Sequence, residues 1–436
     1  MTTSTPTFSQ TVRVFGRIGL LSFGGPAGQI ALMHSELVDK HRWIEEPQFL
    51  HALNFCHLLP GPEAQQLAIY IGWRLHGLRG GLAAGLLFLL PGVAIILGLS
   101  ILYAFAAGLS WFAALFLGIK AAVLAVVLQA LIRIAGRALD TRFKQALALL
   151  AFVALFFFDL PFPLVVLASG LAGLLAASHR PDWLQIKPAA VATDTSPRPS
   201  LAVTARIVAG WLIVWALPLA LVWAALGRDH VLMDIGLFFS QLAVVTFGGA
   251  YAVLAYMAQE AVQGYGWLNA GEMADGLGMA ETTPGPLILV TQFVGFIAAY
   301  RDAAPFTPLV AGIIGAALTV WVTFAPCFLW IFTFAPWIDR LQHARRLKGG
   351  LAAITAAVVG VIANLSLWFA LHVIFQTVGE RRFGPLRLYW PDIATLDWLA
   401  LALALLAGVM LLVIRRSVLE VLGLSAVLGL AANAFI

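Results

Sequence analysis

Residues 22–25 read SFGG and residues 246–249 read TFGG. The same offset of 224 residues carries Glu36 to Glu260, Trp43 to Trp267, and the Pro-Gly-Pro at 60–62 to the Pro-Gly-Pro at 284–286. No gap is needed between the first pair and the last. A unit of this length, stated twice in a very apolar chain, is the signature of a two-halved membrane transporter.

The composition sets the class. Of 436 residues, 61% are hydrophobic and 11% charged, with a mean hydropathy of +0.93. A soluble domain carries about a quarter charged residues. The expected fold is all-α and polytopic, with the lipid bilayer as its surroundings. The net charge of +5 fits Lys/Arg-rich cytoplasmic loops, so no nucleic-acid partner is expected. Cys56 and Cys327 lie in apolar segments with no CxxC pattern, which reads as small buried residues and no disulfide. The polar first ten residues are not followed by a short apolar run with a small-residue cleavage site, so no cleaved signal peptide is expected.

A spanning helix needs about 20 apolar residues. Candidates fall near 12–33, 50–73, 81–106, 111–135, 145–160, 161–178, 203–226, 234–258, 273–299, 308–335, 349–375, 394–414 and 418–435. These divide into an N-terminal repeat (1–178), a linker with one extra helix (179–233) and a C-terminal repeat (234–436). If all thirteen cross, the odd segment inverts the second repeat. A cytoplasmic N-terminus satisfies the positive-inside rule on balance. It places 34–48 outside and 259–272 inside, and leaves Arg381, Arg382 and Arg387 as a contrary external group.

One segment in each repeat reads as broken. Residues 50–73 hold His57, Pro60, Gly61, Pro62, Glu63, Gln65 and Gln66; residues 273–299 hold Asp275, Glu281, Thr282, Thr283, Pro284, Gly285, Pro286 and Gln292. Polar groups and prolines at membrane depth are tolerated where backbone is packed in protein or lines a wet cavity. Thr282 or Thr283 is a natural N-cap with Pro284 at the first helical position, so this stretch predicts the start of a half-helix. Pro60 and Pro62 would do the same without a Thr. Two such ends aim N–H groups and positive dipole ends at an anion. In the flanking motifs, Phe23, Gly24 and Gly25, with Phe247, Gly248 and Gly249, let backbone approach a ligand or another helix closely. The plainer reading is that the prolines kink two helices and the glycines pack.

Lys120 lies in the middle of WFAALFLGIKAAVLAVVLQALIRIA. A central Lys costs on the order of 3 kcal/mol on insertion scales, so it needs a partner or a cavity. It could neutralise an anion, or pair with Glu63 or Glu281. Glu281 and Glu63 are candidates for proton coupling, since apolar surroundings favour a protonated carboxyl; an acid that complements a helix start describes Glu63 better. Gln129 and Asn364 could line a path or bridge helices. His34, His41, His51 and His57 match no metal motif, and no metal or other cofactor is expected.

SFGG, Trp43 and LPGPEAQQLAIYIGWRLHG, together with TFGGAYAVLAYM, Trp267 and ETTPGPLILVTQFVGF, resemble the chromate ion transporter family, long two-domain type. The stretch GIKAAVLAVVLQA around Lys120 is similar as well. The resemblance implies efflux of chromate across the bacterial inner membrane, driven by the proton motive force and conferring chromate resistance. It carries over to Phe23, Gly24, Gly25, Pro60, Gly61 and Pro62, and to Phe247, Gly248, Gly249, Pro284, Gly285 and Pro286. The first copy lacks the Glu-Thr-Thr before its Pro-Gly-Pro, so the two halves are not equivalent. Sulfate or another oxyanion is the rival substrate. A membrane-bound reductase is the rival class, and the chain has neither a GxGxxG after a strand nor a CxxCH for its cofactor. Gly and Ala stripes would permit a homodimer.

Overall fold

The computed structural model describes residues 6–185, 200–247, 250–338 and 344–435. Gly248, Gly249 and most of the linker after Gln185 lie outside them. In chain order the helices are α1 (Phe8–Leu21), α2 (Gly25–His34), α3 (Glu46–Cys56), α4 (Glu63–Ala106), α5 (Ser110–Ala138), α6 (Arg142–Phe156), α7 (Phe162–His179) and α8 (Leu201–Leu226). They continue as α9 (Val231–Val245), α10 (Ala250–Gln259), α11 (Ala270–Thr282), α12 (Val290–Arg301), α13 (Pro308–Phe334) and α14 (Arg345–Ile374). A hairpin of β1 (Val378–Phe383) and β2 (Leu386–Pro391) precedes α15 (Trp398–Gly408) and α16 (Val418–Phe435). Among the described residues six helices, α4, α5, α7, α8, α13 and α14, are long and apolar enough to cross a membrane. The fold is an all-α polytopic membrane protein with one small hairpin.

Backbone geometry recurs at the sequence offset. A π-helical turn follows α2 at Ser35–Lys40 and follows α10 at Glu260–Gly264. His41 N–H donates to Glu36 O at 3.0 Å, and Tyr265 N–H to Glu260 O at 2.8 Å. Trp43 N–H donates to Leu37 O at 2.9 Å, and Trp267 N–H to Ala261 O at 2.8 Å. Between them Arg42 (φ 52°) and Gly266 (φ 65°) both take left-handed backbone. The segments expected at 12–33 and 234–258 are therefore each two short helices joined at the glycine motif. A ten-residue helix such as α10 is about 15 Å long, half of a hydrocarbon core of about 30 Å.

The chain forms two compact units that interleave along the sequence. The first comprises residues 1–101, 188–250 and 283–344; the second comprises 102–187, 251–282 and 345–436. In the first unit, α4 leaves helical geometry at His76 (φ −140°, ψ 26°) and Gly77 (φ 60°, ψ −149°). The chain doubles back there. Gly72 and Gly80 face each other so closely that a Cβ on either would strike the other's carbonyl, and Gln65 Nε2 donates to Gly85 O at 2.9 Å. Helices α12 and α13 pair in the same way, with Gly295 against Thr319 and Gly315. Close approach at small residues is how helices associate where lipid removes the hydrophobic drive. Helix α8 has no buried residue, and joins α13 through two indoles. Trp215 Nε1 donates to Val322 O, and Trp321 Nε1 to Val214 O, both at 2.9 Å.

In the second unit α5 is crossed at small residues by two helices. Gly118 lies against the Ser425 carbonyl of α16, and Gly278 of α11 lies against Ile119. Helix α14 packs on α6 and α7, Gly360 on the Ala148 carbonyl and Gly173 on Gly349 and Ala353. The β-hairpin was not expected from the sequence. Its strands pair antiparallel from Val378↔Pro391 to Phe383↔Leu386. Arg387, expected among loop charges, is buried at 3% exposure.

One expected topology is corrected within this unit. Gln259 Nε2 donates to Asp159 Oδ1 at 2.7 Å, and Arg387 Nη1 donates to Gln263 Oε1 at 3.3 Å. The turn at 260–264, the α6–α7 turn and the β-hairpin therefore lie together. Thirteen full crossings would place 259–272 on the side opposite the other two. The parity fails because the segment before that turn is broken at its glycine motif. Tyr265→Cys and Phe383→Cys, both at exposed positions, are expected to react with an impermeant maleimide from the same side of the membrane. Labelling from opposite sides would overturn this arrangement.

Candidate functional site

The two glycine motifs and the two Pro-Gly-Pro motifs meet in the first unit, and they meet crosswise. Helix α1 ends at Ser22 (φ −79°, ψ 59°) and α9 at Thr246 (φ −75°, ψ 85°). This is inverse γ-turn geometry: Phe23 N–H donates to Leu21 O at 2.9 Å, and Phe247 N–H to Val245 O at 3.0 Å. Each hydroxyl turns back on its own helix, Ser22 Oγ to Gly19 O and Thr246 Oγ1 to Leu242 O. That leaves the two main-chain carbonyls to the other copy's Pro-Gly-Pro. Gly61 N–H donates to Thr246 O at 2.8 Å, and Gly285 N–H donates to Ser22 O at 3.1 Å. Ser22 Oγ shares the second bond at 3.0 Å.

Both glycines need the residue type they have. Gly61 has φ 119° and Gly285 has φ 98°, values an L side chain rarely adopts. The flanking prolines lack an N–H, so the glycine supplies the donor within each motif. Glutamines brace the crossing. Gln29 Nε2 donates to Gly285 O at 2.6 Å and to Ser22 O at 3.3 Å, and Gln66 Nε2 donates to Pro60 O at 2.7 Å. Each leaves a buried Oε1 with no hydrogen-bond partner.

This geometry corrects the expected capping. Helix α11 ends at Thr282, whose hydroxyl donates back to Gly278 O and Met279 O. Pro284 lies in the break rather than at a first helical position, and Pro286 precedes a 3₁₀ turn at Leu287–Leu289. Thr283, Pro284, Gly285 and Pro286 are all buried. The Gly61 and Gly285 N–H groups are engaged by carbonyls, so they are not donors to a ligand in this conformation. The open backbone is at the glycine motif. Gly24 (φ 84°) and Gly25 (φ 68°) begin α2, which has no side-chain cap, and a Cβ on either would meet nothing within 4 Å. Phe23 and Phe247 are half-buried beside the crossing. Pro60 and Gly61 are half-buried and Pro62 is buried. Glu63 is the first residue of α4, where an acid complements the helix dipole.

Lys120, Asp275 and Glu281 belong to the second unit. Lys120 Nζ pairs with Asp275 Oδ1 at 3.1 Å, and the Tyr103 hydroxyl donates to Asp275 Oδ2 at 2.7 Å. The partner is therefore Asp275, not Glu63 or Glu281. The sequence signal for this partner is position: Asp275 lies on the same broken segment as Glu281, five residues into α11. Glu281 is buried at 6% exposure and accepts from the Tyr251 hydroxyl at 2.9 Å. Gln129 bridges to the Leu411 carbonyl at 3.3 Å. In the first unit, His34 pairs with Asp39 and Glu46, and His41 with Glu36. Burial holds the Glu260 carboxyl above its ordinary range, with Asp159 adding to the effect.

Fold and crossing together define a polytopic helical membrane protein of the kind that carries solutes on paired broken helices. The sequence model of the chromate transporter family matches residues 9–174 and 233–430. The chain belongs to the chromate transporter family. It is 34% identical to a chromate transport protein of Pseudomonas aeruginosa over 86% of this chain and 82% of that protein. It is 28% identical to a chromate transport protein of Cupriavidus metallidurans, over 86% of this chain and 85% of that one. It is 26% identical to an uncharacterized transporter of Methanocaldococcus jannaschii, over 82% and 83% of the two chains. No solved structure matches the chain.

Proposed function

We propose that this protein exports chromate from the bacterial cytoplasm across the inner membrane, with its N-terminus inside, and so confers chromate resistance. The observation that carries the reading is the reciprocal crossing, Gly61 to Thr246 and Gly285 to Ser22, in a chain with relatives named for chromate transport. Two repeats, 1–178 and 234–436, supply one arm each. Gly24 and Gly25 present backbone donors to the oxyanion, and the Pro-Gly-Pro motifs hold the ends of α1 and α9 through Ser22 and Thr246. Lys120 supplies positive charge where a dianion must pass. Glu281, buried against a neutral tyrosine, is the candidate proton carrier, and Glu63 complements a helix start.

Energetics favour the outward direction. Moving a dianion out of an inside-negative cell gains about 4–5 kcal/mol per 100 mV, from roughly 2.3 kcal/mol per charge. Proton coupling would add to this gradient. A homodimer is compatible with the exposed apolar helices. Sulfate shares charge and shape with chromate and is the competing substrate.

The test is uptake of labelled chromate into inside-out vesicles, with and without an imposed proton gradient and with sulfate as competitor. Saturable uptake that rises with the gradient is expected. No uptake of chromate by folded protein would reject chromate, and gradient-insensitive uptake would reject proton coupling.

A further inference from the structure

The two crossings are alike in sequence and held unequally in space. Among the described residues, the Thr246 crossing is bridged by one hydrogen bond, from Gly61 N–H to Thr246 O at 2.8 Å. Gln66 braces that Pro-Gly-Pro from within its own segment, at Pro60 O. The Ser22 crossing has more. Gly285 N–H is shared between Ser22 O at 3.1 Å and Ser22 Oγ at 3.0 Å. Gln29 Nε2 then donates across to Gly285 O at 2.6 Å while also reaching Ser22 O at 3.3 Å. Gln29 is 1% exposed. The 224-residue offset carries it to Val253, a buried residue whose side chain has no donor. The sequence of the second copy thus rules out the same amide bridge. The surroundings differ in the same sense. A Cβ on Gly61 would meet side chains, Gln66 Nε2 at 2.9 Å and Cys327 Sγ at 3.2 Å. One on Gly285 would meet Leu289 and the backbone of Gly92, which is itself pressed on the Pro284 carbonyl. Thr283, Pro284, Gly285 and Pro286 are buried, while Pro60 and Gly61 are half-buried.

We propose that Gln29 is a positioning residue for transport: it fixes the Ser22–Gly285 crossing as a pivot, and the Thr246–Gly61 crossing is the one that parts to let the oxyanion through. The proposal deepens the transport reading and rests on it for the passing ion. Packed interfaces switch between discrete arrangements instead of stretching, so the switch falls at the weaker of two matched contacts. The Gly61 bond is short, but neutral hydrogen bonds of this kind contribute comparable amounts, and their number decides. Side-chain tips such as a glutamine amide and a thiol give way, whereas backbone packed on backbone does not. Gln29 stands one turn into α2, which begins at the open backbone of Gly24 and Gly25. By tying Ser22 to Gly285 it keeps that backbone in place while the other crossing opens.

Each crossing has a buried reporter position. Cys327, 1% exposed, lies at Gly61, and Leu289, 1% exposed, lies at Gly285. Full-length protein carrying Cys56→Ser and Leu289→Cys therefore holds one thiol at each. Both are labelled with methyl methanethiosulfonate in membrane vesicles, and the two sites are followed separately by peptide mass spectrometry. Cys327 is expected to react at least about ten-fold faster than the thiol at 289, the effect of one or more additional hydrogen bonds. Adding Gln29→Met, which keeps the length of the side chain and removes its donor, is expected to speed labelling at 289 by about ten-fold and to leave the Cys327 rate unchanged. An unchanged Cys327 rate also shows that the variant is folded. In the chromate uptake assay, Gln29→Met in the otherwise wild-type chain is expected to lower the maximal rate at an unchanged KM, because Gln29 moves no ligand contact. Equal labelling of the two sites, or faster labelling at 289, before Gln29 is changed would overturn the proposal without recourse to the variant. A raised KM at the wild-type maximal rate would overturn the pivot and place Gln29 at the ligand. A wild type that moves no oxyanion, with the two thiols still unequal, would overturn the transport reading and leave the unequal crossings standing.

Discussion

Lys120→Ala is expected to lower the stability of the protein by about 3–5 kcal/mol, the range for removing one partner of a buried ion pair. The reason is Asp275. Its side chain is 7% exposed and faces Lys120 Nζ at 3.1 Å. Without the ammonium, the Tyr103 hydroxyl at 2.7 Å is what remains to it among the described residues. The Lys120 side chain is 22% exposed, so water reaching that end favours the lower part of the range. Lys120→Ala with Asp275→Asn removes both charges and is expected to return most of the loss, since a neutral pair requires no counter-charge. Melting in detergent and yield of monodisperse protein measure this half of the result. Transport measures the other half. If Lys120 supplies charge to the passing anion, the double variant folds and stays inactive. A double variant that transports like the wild type would make the pair purely structural and remove Lys120 from the path.

Gly285→Val is expected to cost both folding and transport. Gly285 holds φ 98° and donates its N–H to Ser22. A Cβ there would lie 2.9 Å from Leu289 Cδ1 and 3.4 Å from the Gly92 Cα. The leucine tip can move; the α4 backbone cannot, because Gly92 is itself pressed against the Pro284 carbonyl. The disfavoured backbone alone costs on the order of 1–3 kcal/mol, and a β-branched side chain adds overpacking. Gly24→Ala is the control. It meets the same kind of backbone strain at φ 84°, but nothing lies within 4 Å of the new Cβ. It is expected to melt within about 1–2 kcal/mol of the wild type, the strain contribution alone, while transport falls at least ten-fold. Full transport by Gly24→Ala would show that this backbone does not face the substrate.

Both predictions turn on features that the sequence presents unequally. The recurrence of Gly61 as Gly285 is read directly from the spacing, because a glycine at φ above 90° and prolines without N–H groups tolerate no substitute. The recipient of those N–H groups was not legible. A motif at 60–62 bonds the carbonyl at 246, and a motif at 284–286 bonds the carbonyl at 22. Nothing in either local stretch encodes a swap between copies. Lys120 announces a need for a partner by its place among apolar residues. Of three acids on or near the broken segments, only distance in space selects Asp275. The hairpin escaped for another reason: its arginines read as loop charges until Arg387 is seen bonded to Asp159, 228 residues away in sequence.

Composition and the 224-residue offset thus determined by themselves that this is a polytopic helical membrane protein with twice-stated breaks, since hydropathy, glycine and proline act through local backbone energetics. Tertiary structure alone decided which break grips which and which carboxylate holds Lys120. Those outcomes depend on hydrogen bonds between residues far apart in the chain, and the sequence carries no distance between them.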